Sequence, residues 1–151
     1  MKVQDVMTSD VGFCSPTDSL VKVAAIMRQI DCGAVPIVNA ENRVVGIITE
    51  RDAFLAVAGK NLTAAKIEAG EFCTENIVVC KPDDKIKVVL RKMRKNQIKR
   101  LPVISQSGEL IGIISITDVL LVPKKDKSLR KKAVSTLTAI SKPRPITLRE
   151  I

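Results

Sequence analysis

The sequence predicts an α+β fold (an α/β repeat) in which two β-α-β-β-α units pack sheet to sheet about a pseudo-twofold axis, followed by a basic C-terminal helix. Three observations predict this class. The sequence matches itself at a fixed offset, and the hydrophobic period changes in the same order within each copy. The third observation is that most of the net charge of +9 lies beyond the second copy.

The internal repeat appears when the 151-residue chain is shifted by 66 positions. This shift aligns prolines, glycines and acidic residues without a gap: Pro16 with Pro82, Pro36 with Pro102, Gly46 with Gly112, and Asp52 with Asp118. A copy of about 50 residues is too small to bury a proper core alone. We therefore expect the two copies to pack against each other.

Each copy contains the same elements in the same order. In the first copy, residues 11–14 are a short extended run, and Ser19 caps a helix with apolar residues at three- and four-residue steps. Residues 34–38 and 44–48 are strands joined by a turn, and Thr49 caps the next helix. The elements of the second copy are 77–80, 85–96, 100–104, 110–114 and a helix from Ser115.

The repeat divides the chain into four parts. We expect a first repeat at 1–60, a linker at 61–72 with a short helix at 64–69, a second repeat at 73–122, and a basic tail at 123–151. An apolar helical stripe in the tail runs through Leu129, Ala133, Leu137 and Ile140. This stripe covers a hydrophobic face either of its own module or of a twofold partner.

The composition excludes several classes of protein. The chain has no His, which removes the usual general base and most zinc chemistry, so we expect neither an enzyme nor a metal site. With three Phe, no Trp and no Tyr, it also lacks the rings that stack single-stranded bases. The last 29 positions hold nine Lys or Arg against two acidic residues. Such a tail suits a solvated helix face, or contact with nucleic acid, an acidic protein or a membrane surface.

The sequence also bears on the compartment. The first residues lack the apolar segment of a signal peptide, and the longest apolar stretch, 110–122, contains Asp118 and is too short to span a bilayer. The four cysteines form no Cys-x-x-Cys pair. We expect a protein of the reducing cytoplasm that does not insert into a membrane.

Two motifs occur twice in one register. The pattern x-P-[VI]-[VI] lies on one strand, and G-I-I-[TS]-x-x-D leads from the next strand into a helix. Together they resemble a pair of cystathionine-β-synthase (CBS) repeats, the Bateman module, from about residue 3 to residue 122. The resemblance implies a regulatory module that senses an adenosine-containing ligand in the cleft between the repeats and forms a homodimer. It implies no catalysis, and we expect no separate cofactor.

The second motif suits a ribose. In each copy a strand delivers a hydroxyl and a carboxylate to the start of a helix: Thr49 with Asp52, and Ser115 with Asp118, where Thr117 adds a hydroxyl. A carboxylate accepts hydrogen bonds from two neighbouring ribose hydroxyls, each worth about 1.5–3 kcal/mol when desolvated. The same residues also suit a helix cap, and the two roles can coexist.

The resemblance implies that the other repeat completes each ribose site. The Asp118 site would have Ile113 from its own repeat, with Lys99 and Arg100 at the phosphate position. Its residues from the first repeat would be Met7, Val11, Gly12, Cys32, Gly33 and Ala34. We expect AMP or ADP here first and ATP next, with S-adenosylmethionine as another adenosyl candidate.

We expect the second ribose site, at Asp52, to be the weaker one. Its phosphate positions hold the uncharged Gly33 and Ala34, although Lys60 or Arg51 are candidate substitutes. The other residues of this site are Thr49 and Ile47, and its bulkier pocket wall is formed by Cys73, Ile77, Val78, Ile98, Lys99 and Arg100. Such a site would be empty, weak or filled by an uncharged adenosyl group.

Overall fold

The structure is a computed structural model that describes residues 1–74, 76–122 and 126–143. In chain order, its helices and strands are α1 (Leu20–Gln29), β1 (Ala34–Val38), β2 (Val44–Thr49), α2 (Glu50–Lys60), α3 (Ile86–Asn96), β3 (Arg100–Ile104), β4 (Leu110–Ser115), α4 (Ile116–Leu120) and α5 (Lys127–Ile140). Single turns of 3-10 helix lie at Val3–Asp5, Ala64–Lys66 and Ala69–Glu71. Strands β1 and β2 form one antiparallel sheet, and β3 and β4 form another. The mixed helix and strand class is the one that the sequence predicts.

The two repeats adopt the same backbone conformation at equivalent positions. Just after α1, Asp31 has a φ of 48°, and just after α3, Gln97 has a φ of 55°. In the turns between paired strands, Asn42 has a φ of 56° and Gly108 a φ of 88°. Non-glycine residues rarely adopt positive φ, so its recurrence at the 66-residue offset shows that the sequence repeat is a structural repeat.

The leading runs at 11–14 and 77–80 differ from the predicted strands because each pairs at a single residue. The Cys14 N–H donates to the Pro36 carbonyl oxygen at 3.1 Å, and the Cys80 N–H donates to that of Pro102 at 3.1 Å. A parallel ladder would continue with a bond from the N–H of the proline, and proline has none. Each sheet therefore has two strands.

The linker contains two 3-10 turns where the sequence predicts one short helix. Between them Ile67 is extended, with φ −107° and ψ 123°. Its carbonyl oxygen accepts a hydrogen bond of 3.0 Å from the N–H of Leu20, and its side chain is fully buried in the core of the first repeat. Anchoring Ile67 in this core interrupts the helix.

The first residues of the chain pack on the second repeat. The Val3 N–H donates to the Asp84 carbonyl oxygen at 2.9 Å, and the Gln4 N–H donates to that of Pro82 at 2.9 Å. The side chain of Val3 is fully buried among the core residues of the second repeat. The N-terminal segment, residues 2–8, thus packs on a core that lies about 80 positions further along the chain.

The linker makes the reciprocal contact with the first repeat. The Ala69 N–H donates to the Asp18 carbonyl oxygen at 2.8 Å, and the Gly70 N–H donates to that of Pro16 at 2.9 Å. Each of these residues lies 66 positions from its counterpart in the N-terminal contact. The two repeats therefore exchange equivalent segments.

A third contact lies on the axis that relates the repeats. Arg43 and Glu109 form an antiparallel bridge, and they are equivalent residues of the two copies. A residue that pairs with its own equivalent must lie at a twofold axis. Next to it, the Leu110 N–H donates to the Asn42 carbonyl oxygen at 3.1 Å. The two sheets thus meet about a pseudo-twofold axis.

Helix α5 packs on its own module, which decides between the two alternatives for the tail. Leu129, Ala133 and Ile140 are buried in the core of the second repeat, and Leu137 packs against it half-buried. The opposite face of α5 is exposed and carries its basic residues. Within the described part of the tail, the apolar stripe therefore packs against the second repeat of the same chain.

Truncating the stripe tests this packing. Replacing the buried Leu129 by alanine is expected to lower the free energy of unfolding by about 2–5 kcal/mol, because it leaves a cavity between α5 and the second repeat. On the same helix Val134 is 49% exposed, so Val134→Ala is the matched control, expected within about 0.5 kcal/mol of wild type. Urea unfolding followed by circular dichroism measures both. Equal, small effects would contradict the packing of α5.

Candidate functional site

Asp52 and Thr49 form a reciprocal cap at the start of α2. Oδ2 of Asp52 accepts hydrogen bonds from the Thr49 N–H at 2.8 Å and from the Thr49 hydroxyl at 2.6 Å. In return the Asp52 N–H donates to Oγ1 of Thr49 at 3.3 Å. Within the described ranges, the structure shows no hydrogen bond to Oδ1 of Asp52. The cap fixes the carboxylate and leaves one oxygen for a ligand.

Ser115 and Asp118 repeat this arrangement at the start of α4. Oδ2 of Asp118 accepts a hydrogen bond of 2.6 Å from the Ser115 N–H, and the Asp118 N–H donates to the Ser115 hydroxyl at 3.2 Å. Thr117 is exposed beside them. The helix-cap role of both motifs is therefore present in the structure.

A cavity of about 560 Å³ opens beside Asp52, between the two repeats. This volume lies within the range of about 300–1,000 Å³ that holds small organic ligands. Ile47, Thr49 and Asp52 line one side, together with Ala34 and Arg51. The second repeat supplies Ile77, Val78, Ile98, Lys99 and Arg100. Most residues predicted for the Asp52 site thus meet at this one cavity, whereas Gly33, Lys60 and Cys73 are not among the residues that line it.

Lys99 and Arg100, predicted as the phosphate position of the Asp118 site and as part of the wall of the Asp52 site, line the Asp52 cavity. Arg51 lines this cavity with them, and among the described lining residues Asp52 supplies the one carboxylate. Arg100 begins β3 and pairs with Ser115, so its strand also lies beside the second motif. The predicted order of the two sites stays a prediction, but the distribution of cations favours Asp52.

On the Asp118 side, the N-terminal segment lies along β4. Thr8 and Ile113 exchange two backbone hydrogen bonds, of 3.0 and 2.9 Å. The side chain of Met7 lies over Gly112, where an added Cβ would come within 2.9 Å of the Met7 sulfur. Met7 and Ile113, both predicted for this site, are thus brought together by the N-terminal segment.

The other residues predicted for the Asp118 site lie around α1 and α2. An added Cβ at Gly12 would lie 2.6 Å from Ile26 and 2.9 Å from Ile30, so two isoleucines fill the space beside it. An added Cβ at Gly33 would lie 2.8 Å from a carboxylate oxygen of Glu50, which places negative charge there.

Two further predicted residues, Val11 and Cys32, are half-buried, and the Cys32 thiol donates to the Ala34 carbonyl oxygen at 3.3 Å. Neither residue supplies a cation. The predicted first-repeat residues of the Asp118 site are therefore uncharged, and Glu50 makes their surroundings unfavourable for a phosphate.

Some cavity residues were not predicted as ligand contacts. Asn96 at the end of α3 and Ile140 at the end of α5 both reach the Asp52 cavity. Asn96 is the 66-residue equivalent of Ile30, so the repeat alignment contained a signal for it. Ile140 has no equivalent in the first repeat, and only the packing of α5 brings it to this place.

The buried thiols are not nucleophiles. Burial raises the pKa of Cys14 to about 11 and the pKa of Cys80 to about 12, so both are protonated at neutral pH. Among the residues that the structure describes, no three Cys, Asp or Glu lie close enough to hold a metal ion.

Comparison with models of known protein families identifies the family of this chain. The model of the CBS domain matches residues 3–59 and 69–125. The chain belongs to the CBS domain family. It is a CBS pair, and the two matches correspond to the two repeats that exchange segments.

Curated relatives include proteins of similar and of greater length. An uncharacterized protein of Methanopyrus kandleri is 32% identical over 122 residues, which cover 81% of this chain but 62% of that protein. The YlbB protein of Bacillus subtilis is 32% identical over 142 residues, 93% of this chain and 91% of its own length. The chain therefore spans less than two thirds of the first relative and nearly all of the second.

A solved CBS pair has a similar structure. The CBS domain pair of protein MJ0100, in complex with 5′-methylthioadenosine and S-adenosyl-L-methionine, superposes with a TM-score of 0.71 at 25% identity. The match covers 79% of this chain and 92% of that one. That CBS pair binds adenosine-containing ligands.

The close approach of the N-terminal segment to β4 predicts the effect of a glycine substitution. In Gly112→Ala the new methyl group would meet the Met7 sulfur at 2.9 Å and the Thr8 carbonyl oxygen at 3.0 Å. We expect a loss of about 1–3 kcal/mol in the free energy of unfolding, because backbone must move.

The control for this substitution is Gly59→Ala on α2, where an added Cβ meets no atom within 4 Å. Alanine there is expected to raise the free energy of unfolding by up to about 1 kcal/mol, because it favours the helix. Thermal unfolding compares the two variants. A Gly112→Ala protein as stable as Gly59→Ala would show that the segment does not lie on β4.

Proposed function

We propose that this CBS pair is a regulatory module that binds an adenosine-containing nucleotide in the Asp52 cavity. The observation that carries the proposal is the lining of this cavity, which brings the capped carboxylate of one repeat to face the cations of the other. Thr49 and Asp52 come from the first repeat, and Lys99 and Arg100 from the second.

The ribose would bind at Asp52. Its Oδ2 is held by the cap, and its Oδ1 accepts no hydrogen bond in the described part of the chain. Two adjacent ribose hydroxyls can donate to a carboxylate held in this way, at about 1.5–3 kcal/mol each when desolvated. Because the cap fixes the carboxylate before the ligand arrives, little conformational entropy is lost on binding.

The base would lie between aliphatic side chains. Ile47 from the first repeat and Ile77, Val78 and Ile98 from the second line the cavity, and all four are half-buried. Flat apolar walls of this kind suit a purine ring without requiring an aromatic partner. The chain, with its three Phe, provides none there.

The charge of the cavity favours a phosphorylated ligand. Arg51, Lys99 and Arg100 line it, and Asp52 is the one acidic residue among the described residues of the lining. Guanidinium groups bind phosphate oxygens in pairs, and an excess of positive charge disfavours the sulfonium of S-adenosylmethionine. We therefore rank AMP, ADP and ATP above S-adenosylmethionine, and we place them at Asp52, with Asp118 as the weaker site.

Regulation would follow from the position of the cavity. Since both repeats line it, a ligand that prefers one arrangement of the repeats shifts the population towards that arrangement. The exposed apolar side chains of α2, led by Phe54 (72% exposed) and Leu55 (52% exposed), support a homodimer that transmits the shift to a partner. We assign no catalytic role to any residue.

The compartment is proposed from the sequence. Among the described residues, no helix has the length and apolar composition needed to cross a bilayer. A place in the reducing cytoplasm stays a prediction from the sequence.

Calorimetry with AMP and 5′-methylthioadenosine tests the proposed site. Asp52→Ala is expected to weaken both ligands at least tenfold, because both use the ribose contact. Arg100→Gln is expected to weaken AMP about tenfold and to leave 5′-methylthioadenosine within about twofold, because only AMP carries a phosphate.

The matched control is Asp118→Ala, which removes an equivalent helix cap and is expected to change AMP affinity less than about threefold. Arg28→Gln, on the exposed side of α1, controls for loss of a positive charge. If Asp118→Ala abolishes AMP binding and Asp52→Ala does not, the proposed site is wrong and the order predicted from the sequence is right.

A further inference from the structure

A second groove, of about 690 Å³, runs between α3 and α5, away from the Asp52 cavity. Five basic residues line it: Lys87, Arg91 and Arg94 of α3, and Lys131 and Lys132 of α5. All five are exposed, and none of the described residues that line the groove is acidic. The groove therefore combines two basic residues of the tail with three basic residues of α3.

The cations stand in rows because of helix geometry. Lys87, Arg91 and Arg94 are four and three residues apart and so lie along one face of α3. Lys131 and Lys132 lie one turn from Ser128 and from Ser135, both of which also line the groove. One helical turn rises about 5.4 Å, so each wall presents polar groups at that spacing. The groove thus carries positive charge on both walls.

Packing of α3 against α5 beneath the groove holds its two walls in place. Leu90 and Thr136 form the floor, and both are buried. Leu129 and Ala133 of α5 share a core with Leu90, so the two walls cannot separate without exposing apolar surface. The cations are held near each other by the core beneath them.

The charge of the groove is not neutralised within the described part of the chain. Of the five cations, none belongs to an ion pair there, whereas Lys92 on the same helix pairs with Asp84. The first turn of α5 contains no acidic residue, and the carboxylate of its N-cap, Asp126, accepts from the Leu129 N–H at 2.9 Å.

The side chains of the groove are those that contact a phosphate backbone. Lys and Arg, with Ser and Thr hydroxyls, supply most contacts to phosphate and sugar in complexes with DNA, and such contacts carry no sequence information. None of the three Phe lies in the groove, so single-stranded bases have no ring on which to stack. A membrane surface would need apolar side chains beside the cations, and the large exposed apolar residue of α5 is Val134 alone.

We propose that the α3–α5 groove binds the phosphate backbone of double-stranded nucleic acid without reading its sequence. The site is separate from the nucleotide cavity, and the proposal does not rest on the proposed function. It gives the nucleic-acid alternative raised by the tail a defined site, half of which lies on α3.

Fluorescence anisotropy of a labelled 20-base-pair duplex with the full chain, between 50 and 200 mM KCl, tests the groove. With about four phosphates contacted, the logarithm of the association constant should fall with the logarithm of salt concentration at a slope of about −4. The variant Arg91→Gln/Lys131→Gln/Lys132→Gln should reduce the size of this slope by roughly 2.7, since each lost contact removes about 0.9.

The matched control, Arg28→Gln/Lys66→Gln/Lys81→Gln, removes the same charge from exposed positions outside the groove and should keep most of the slope. Thermal unfolding confirms that both triple variants fold, and no nucleotide is added, so the outcome is independent of the Asp52 cavity. Equal loss in both variants, or no salt-dependent binding by wild type, would overturn the proposal.

Two competitors distinguish the other anionic partners. Vesicles of phosphatidylglycerol and phosphatidylcholine, and poly-glutamate, are added to the labelled complex at equal charge concentration. Weaker competition than by unlabelled duplex supports the proposal. If either competitor displaces the duplex from wild type more strongly than unlabelled duplex does, the groove is a membrane or acidic-protein site and the proposal is wrong.

Discussion

The structure depends on the exchange of two short segments between the repeats. Neither copy closes its own core: Val3 completes the second repeat and Ala69 the first, each through backbone hydrogen bonds to a turn of the other copy. Burial of one such valine side chain is worth about 1.5–3 kcal/mol. Because each half needs the other to be complete, the repeats are held in a fixed relation, and the Arg43–Glu109 bridge marks the axis between them.

This fixed relation creates the clefts, and small sequence differences then make the clefts unequal. The caps at Thr49 and Ser115 are alike in geometry, so the difference lies in what faces them. Where one repeat has Lys99 and Arg100, the other has Gly33 and Ala34, with the Glu50 carboxylate against Gly33. Repeated architecture with unequal charge is a simple route from a symmetric scaffold to one preferred ligand site. Helices α3 and α5 both end at the Asp52 cavity, through Asn96 and Ile140, and both also line the basic groove.

Most of the fold could be predicted because the repeat doubles every local signal. A single proline or glycine is weak evidence for a structural element. Because the same 66-residue offset aligns Pro36 with Pro102 and Gly46 with Gly112, it predicts the helices, the paired strands and both capping motifs together. The runs at 11–14 and 77–80 pair at one residue each because the next partner in the ladder is a proline. Which residue is that partner can be known only from the register of the strands. The sequence left Lys99 and Arg100 in both predicted sites, because they lie between the two motifs, and only the structure shows them lining the Asp52 cavity. Ile140 gave no signal, since the tail has no counterpart in the first repeat.

The exchange of segments is tested most directly by methyl NMR of the full chain with Val3→Ala. Val3 belongs to the first copy in sequence but is buried with Ile86 and Leu101 of the second. The account predicts that the substitution moves the methyl resonances of the second-repeat core and leaves those of Ile37 and Ile48, in the first-repeat core, in place. Shifts confined to the first-repeat core would show that each copy closes on itself, and would contradict the account.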